Sequence, residues 1–221
     1  MQQRILSDRS YNNSLGYNIV LLGLLLLHCF FLAALPVSIL DVIYRISYNL
    51  IVITTFFCVE RSYRGISGSF VLIALVAYWV AYFFNGVILT SVSAIMLSVV
   101  FIATVFNLLK QVASEKKVTI ITLLQAISGY LLIGLMFSLI INLIIRTDPN
   151  AYNFIDAEGG PDSAVIGQSL YYTFISFATV GYGDLLPVSP FARSFAAFMG
   201  ITGQLYVAII IAMLIGKYSS K

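Results

Sequence analysis

The sequence predicts an all-α membrane protein: six transmembrane helices plus a re-entrant helix and loop. Three observations carry that expectation. Hydrophobic residues make up 60% of the 221 residues and charged residues 10%, with a mean hydropathy of +0.98, a balance far outside that of water-soluble domains. Apolar stretches near the roughly 20 residues that a helix needs to cross a bilayer recur along the chain. A further apolar stretch, Gln168 to Ala178, is too short to cross and runs directly into the loop Thr179-Val180-Gly181-Tyr182-Gly183-Asp184.

The spans are expected at Leu15 to Leu35, Ile39 to Val59, Phe70 to Phe84, Val87 to Leu109, Ile120 to Ile145 and Phe191 to Ile215. The first exceeds a typical signal-peptide core and lacks a small-residue cleavage site, so it reads as a retained helix. Only Asn85-Gly86 divides the third span from the fourth. Asp41 and Arg45, four apart on the second span, are placed to pair on one helix face. Cys29 and Cys58 lie in apolar spans without metal-ligand spacing and read as packing residues. His28, the single histidine, is expected to be hydrogen-bonded within the bundle. The charged interval Lys110 to Val118 reads as an interfacial link between two halves.

The division is therefore a cytoplasmic N-terminus at 1–14, a four-helix unit at 15–109, a linker at 110–119 and a last unit at 120–221. In that last unit, Arg146 to Gly167 carries Pro149, Gly159, Gly160 and Pro161 among several acids, the composition of a solvated loop. The helix after it dips into the membrane, which is tolerated only where protein or water surrounds the backbone.

Short cytoplasmic segments collect Lys and Arg. With both termini cytoplasmic, Arg4, Arg9, Arg61, Arg64, Lys110, Lys116, Lys117, Lys217 and Lys221 share one side, and Asp148, Asp156, Glu158, Asp162 and Asp184 share the other. An acidic outer surface concentrates cations. No nucleophile and base constellation, metal-ligand cluster or phosphate-binding glycine loop supports an enzyme, and nucleic acid is not an expected partner.

Gly181 and Gly183 bracket an aromatic residue, and glycine enters left-handed backbone without steric penalty. Successive carbonyls can then point the same way. In the last span Gly200 and Gly203 are the available bending points, and Gln204, Val207, Ile211 and Ile215 fall on one face at helical spacing. That face reads either as a lining that closes by dewetting or as ordinary helix packing.

On these residues the chain resembles the tetrameric potassium channels, specifically the six-helix members related to voltage-gated ones. The resemblance covers roughly residues 120–217 and is carried by SLYYTFISFATVGYGDLLP and LYVAIIIAMLIG. It implies a homotetrameric pore with one filter strand from each of four identical subunits in a cell membrane. Potassium ions would bind the carbonyls of Thr179, Val180, Gly181 and Tyr182 and the Thr179 hydroxyl. Gly183 and Asp184 would support the filter, and Gly203 would be the hinge. Ala178 stands where the family often has a second threonine, and Ile175 where some members carry a glutamate; both leave the ion-binding carbonyls untouched. The expected function is passive potassium conduction. A nonselective cation channel, or a membrane subunit of a potassium transport system, is the alternative, and an unidentified regulatory subunit or ligand stays open beside the lipid.

In the first half, Phe57-Cys58-Val59-Glu60 followed by Arg64 is similar to a voltage-sensor pattern of aromatic plug and acid. The competing reading makes Glu60, Arg61 and Arg64 interfacial charges at a helix end. From Val87 to Leu109, where a voltage sensor would place arginines every third residue, stand Thr90, Ser93, Met96, Val99 and Ile102, with no charge. One charge crossing the membrane field is worth about 2.3 kcal/mol per 100 mV, and steep gating needs three or four per subunit. Opening is therefore predicted to depend weakly on voltage, and a recording of steep, saturable gating charge would contradict this.

Overall fold

The computed structural model describes residues 2–32, 37–58, 64–84, 87–115, 117–154 and 162–219. Among them the chain is all-helical, without strands: α1 (Gln2–Leu26, running into a π-helical turn, Leu27–Phe31), α2 (Val37–Cys58), α3 (Arg64–Phe84), α4 (Val87–Ser114), α5 (Ile120–Thr147), α6 (Asp162–Phe177) and α7 (Pro190–Ser219). Among the described residues, four helical stretches are long and apolar enough to cross a membrane: Ser14–Phe31, Ile88–Ser114, Ile120–Thr147 and Pro190–Ser219. The apolar parts of α2 and α3, Val42–Cys58 and Gly68–Ala81, are shorter. Asn85, Gly86, Glu60, Arg61 and the side chains of Asp41 and Arg64 lie outside what is described.

Three helices run well beyond their expected limits, α1 beginning at Gln2 rather than Leu15. The fourth continues through Lys110 to Ser114, so only Glu115 to Thr119 separates it from α5. Five residues reach at most about 18 Å, and α4 packs along α5 of the same chain more extensively than any other helix pair. The first half of the expected linker, Lys110 to Ser114, is thus an extension of α4. The helix expected to be re-entrant, α6, begins at Asp162 rather than Gln168, within the stretch expected to be loop.

Local chemistry explains the ends of α5. Thr119 caps its start, accepting the Thr122 N–H at 3.2 Å while its own N–H reaches the Thr122 hydroxyl at 3.3 Å, a reciprocal capping box. Asp148 and Pro149 end it, the Asp148 carboxylate accepting the Asn150 N–H at 3.2 Å. Inside the helices, Thr54, Thr55, Ser93, Ser98 and Thr104 donate to carbonyls three or four residues earlier at 2.7–2.8 Å. Such back-bonding keeps hydroxyls satisfied where no water reaches.

The last turns of α4 join four helices. The Gln111 amide donates to the Cys58 carbonyl of α2 at 3.1 Å and accepts from Gln125 of α5 at 2.7 Å. The Lys217 ammonium near the end of α7 donates to the Val112 carbonyl. His28 is fully buried and shares a 2.6 Å hydrogen bond with the Ser47 hydroxyl, as expected of a histidine held within the bundle. Cys29 and Cys58 are both buried.

Three glycines permit the approach of α5, α6 and α7. A methyl group on Gly134 of α5 would stand 2.6 Å from the Phe174 ring of α6, and one on Gly129 would strike the Tyr206 hydroxyl of α7. That hydroxyl donates to the Ala126 carbonyl at 2.7 Å. Gly203 of α7 does the same against α6. Small residues at crossings let membrane helices approach closely. Gly129→Ala is predicted to push Tyr206 off Ala126 and destabilise the chain by about 1–3 kcal/mol; thermal unfolding in detergent checks it, and an unchanged midpoint would contradict the packing argument.

Candidate functional site

The site grows from the C-terminal end of α6. That helix buries Ser169, Leu170, Tyr172, Thr173, Phe174 and Phe177. Phe177 packs on Tyr130 and Phe137 of α5, with ring centroids 4.6 and 5.7 Å apart, and Phe174 packs on Phe30 after α1 at 5.1 Å. The helix end is thereby clamped between α5 and the first half.

The next four residues turn their N–H groups back onto that end. Ala178 N–H donates to Phe174 O at 3.0 Å, Thr179 to Ser176 O at 3.0 Å, and Val180 and Gly181 both to Ile175 O, at 2.8 and 3.1 Å. The last carbonyls of a helix lack partners within it, so one arrangement satisfies both sets. The cost falls on the other side of the strand. Among the described residues, no backbone N–H donates to a carbonyl of Thr179, Val180, Gly181, Tyr182 or Gly183.

The backbone alternates through this segment. Thr179, Gly181 and Gly183 have φ of 59°, 57° and 79°, while Val180 and Tyr182 between them have no positive φ. Alternation of left- and right-handed residues aims successive carbonyls toward one side, because each reversal cancels the rotation that a single-handed helix would accumulate. Gly181 and Gly183 behave as their sequence predicts. Thr179 does not follow from residue type, since a β-branched residue at positive φ is an outlier whose strain is roughly 1–3 kcal/mol. Residues 178–184 are exposed in the single chain.

Beyond the alternating strand, side chains hold the chain as it leaves. The Tyr171 hydroxyl donates to the Asp184 carboxylate at 2.7 Å, and this bond lowers the Asp184 pKa. A lowered carboxyl pKa keeps the charged form, and the bond that needs it, at every pH above the ordinary value of 3.8. The contribution is lost only as pH falls through the lowered value. Asn153 contributes three hydrogen bonds: its side-chain oxygen accepts the Leu186 N–H at 2.5 Å, its amide donates to Asp184 O at 3.4 Å, and its own N–H donates to Leu186 O at 3.1 Å. Tyr152 bridges to Pro187, and Ala151 O accepts the N–H groups of Val188 and Ser189. The segment after α5 therefore buttresses the exit, and sequence reasoning missed both Asn153 and Tyr171. Neither has a local signature: Tyr171 is one aromatic among many, and Asn153 looks like any loop asparagine.

Helix α7 follows, with Ser189 capping its start through the Ala192 N–H at 3.2 Å. It buries Met199, Gly203, Tyr206 and Ile210 on one face. A methyl group on Gly203 would collide with the Phe177 carbonyl and lie 2.7 Å from its ring, and one on Gly200 would stand 3.9 Å from Ser176 O. Gly203 thus has a packing reason to be glycine, and α7 runs unbroken through both positions. Gln204, Val207, Ile211 and Ile215 are exposed on another face. Phe57 stacks on Tyr17 at 5.2 Å and stays 39% exposed, so its ring lies on the α1–α2 surface and not in the middle of the four-helix half. The helical phase that buries Thr54, Thr55 and Cys58 turns it outward. Arg64 opens α3.

A family model described as an ion channel matches residues 149–219. No curated protein and no solved structure matches the chain. The matched stretch holds α6, the alternating strand, the exit buttress and α7. With the apolar helices around it, the match indicates an ion channel: a multi-pass membrane protein, not an enzyme. Tyr171→Phe is predicted to raise the Asp184 pKa toward the ordinary carboxylate value, read by carbon NMR of the labelled carboxyl, and an unchanged titration would show that the tyrosine is not its partner.

Proposed function

We propose that the chain is a potassium-selective channel subunit that conducts passively, four copies contributing one strand each to a shared filter. The observation that carries this reading is the alternating backbone of Thr179 to Gly183. Four such strands about an axis make rings of carbonyl oxygens that replace the hydration shell of a potassium ion, and closely spaced rings let one ion displace the next. The carbonyls of Thr179, Val180, Gly181 and Tyr182, with the Thr179 hydroxyl, form those rings. Gly183 and Asp184 hold the outer end. One strand cannot ring an ion, so the partners are three identical subunits.

Several features support the assignment. The C-terminal end of α6 lies beside the strand, and its carbonyl-rich, partially negative end favours a nearby cation. An ionised Asp184 adds negative charge at the exit, which draws cations. Helix α7 leaves Gln204, Val207, Ile211 and Ile215 available as the pore-facing stripe, apolar toward the cytoplasmic end where dewetting closes a pore. Gly200 and Gly203 are where α7 would bend on opening, so the contact of Gly203 with Phe177 would change with the gate. The short connection from α4 to α5 supports an arrangement in which each four-helix half lies beside its own pore unit. Both termini face the cytoplasm of a cell membrane, in agreement with the basic bias of the connections on that side, and six membrane crossings with the dipping α6 make up each subunit. The helices α1 to α4, without gating arginines on α4, act as a brace around the pore rather than a voltage sensor.

A gradient-driven flux assay on the purified protein in liposomes tests the filter. Potassium flux blocked by barium and abolished by Gly181→Ala is expected. Alanine at a φ of 57° carries about 1–2 kcal/mol of strain in each strand, and the rings tolerate little distortion. Flux that survives Gly181→Ala would contradict the assignment.

A further inference from the structure

Beside the strand that carries Thr179 to Gly183, a second space lies between the two halves of the chain. Its volume is about 400 Å³, within the range of pockets that hold small molecules and more than twice the roughly 150 Å³ that accommodates benzene. Its wall includes Cys29 and Phe30 of the π-helical turn, Tyr130 of α5, Phe174 of α6, and Val180 and Tyr182 of the strand. Val180 and Tyr182 are exposed, so the space opens to the molecular surface beside the strand.

The wall and the edge specify different parts of an occupant. Aromatic and aliphatic side chains dominate the wall, and none of the described lining residues is charged. A charged group there would lose its hydration without a counter-charge, whereas an apolar or aromatic body gains contacts. The edge is polar. Gly167 of α6 lines the space, and a methyl group on it would meet only the Tyr44 hydroxyl, at 3.8 Å. The missing side chain thus leaves that hydroxyl next to the space. Tyr44 is 1% exposed, and its ring is held edge-on to His28 with centroids 5.3 Å apart. Among the described residues its hydroxyl has no hydrogen-bond partner, a costly state for a buried group. The Tyr171 hydroxyl, also on the wall, is already committed to Asp184 at 2.7 Å. Tyr44 therefore offers an occupant a hydrogen bond.

We infer that this space binds an uncharged amphiphile of the alkylphenol class, an apolar body carrying one hydroxyl group, with that hydroxyl hydrogen-bonded to Tyr44. The size, the uncharged aromatic wall and the unpaired buried hydroxyl together select this chemistry. An occupant would rest against Val180 and Tyr182 and against the turn after α1, and so would join the first half to the strand. A second copy of the chain seated on the strand is the competing occupant, and the test separates the two. The inference is independent of which ion the pore passes.

Binding can be read by photolabelling, without conduction. The intact protein in liposomes is illuminated with 4-pentylphenol carrying a diazirine on its alkyl chain, and the labelled residues are identified by mass spectrometry. Saturable labelling of Cys29, Phe30, Leu170 or Phe174, all on the wall, is expected. Unlabelled 4-pentylphenol should displace it, and pentylbenzene, which lacks the hydroxyl, should do so roughly fivefold to tenfold less well. Tyr44→Phe removes only a hydroxyl without a partner, so it is expected to leave the thermal midpoint unchanged and to bring the phenol down to the level of pentylbenzene. Should that variant fail to fold, Gly167→Ala, whose methyl group would stand against the same hydroxyl, is expected to weaken the phenol in the same direction. Labelling that does not saturate at these residues, equal displacement by pentylbenzene, or wild-type affinity in the folded variants would overturn the inference. So would labelling that is present in the dissociated chain and absent from the assembled protein, since a second copy would then fill the space.

Discussion

A strand that leaves its carbonyls open must satisfy its N–H groups elsewhere, and the rest of this structure follows from how that is done. The amides of residues 178–181 are taken up by the final carbonyls of α6. A buried backbone group without a partner is expensive in a membrane, so the exchange works only if the end of α6 stays in place. The aromatic contacts of Phe177 and Phe174, and the glycines at 134 and 203 that let α5 and α7 close on them, do that. Thr179 shows how firmly the surroundings fix the backbone, because its left-handed conformation runs against its own side chain.

The same logic extends outward. The exit of the strand is tied on one side to Tyr171 of α6 and on the other to Asn153 after α5, so the loop is fixed both to the helix that it leaves and to the segment after α5. The first half is built differently. Several of its hydroxyls are satisfied within their own helices, and its α4, uncharged from Val87 to Leu109, lies against α5 and ends in the Gln111 and Val112 contacts that also reach α2 and α7. It is a stiff flank whose Arg45 lies beside a cavity between the helices.

Much of this was legible in the sequence where the signal is local. Hydropathy marks the long helices, and the glycines of the loop imply positive φ at 181 and 183. The start of α6 was misplaced because Asp162 to Gly167 looks like polar loop, yet an acid followed by small residues is equally compatible in sequence with a first helical turn. The length of α4 was missed because a charged stretch that marks an interface is equally compatible with a helix that continues past it. Contacts between distant residues leave no periodic trace, and so Asn153 with Leu186, Tyr206 with Ala126, and the outward-facing Phe57 emerge only from the packing. Glycine at 203 illustrates a different ambiguity: one residue type serves bending and close approach alike, and sequence alone does not separate them.

The central claim is that the alternating strand selects potassium by the spacing of its carbonyl rings. The most direct test is the reversal potential of the purified protein in a planar bilayer with potassium on one side and sodium on the other. The account predicts a reversal displaced far toward the potassium equilibrium value. A reversal near zero, with sodium carrying current as readily, would contradict it.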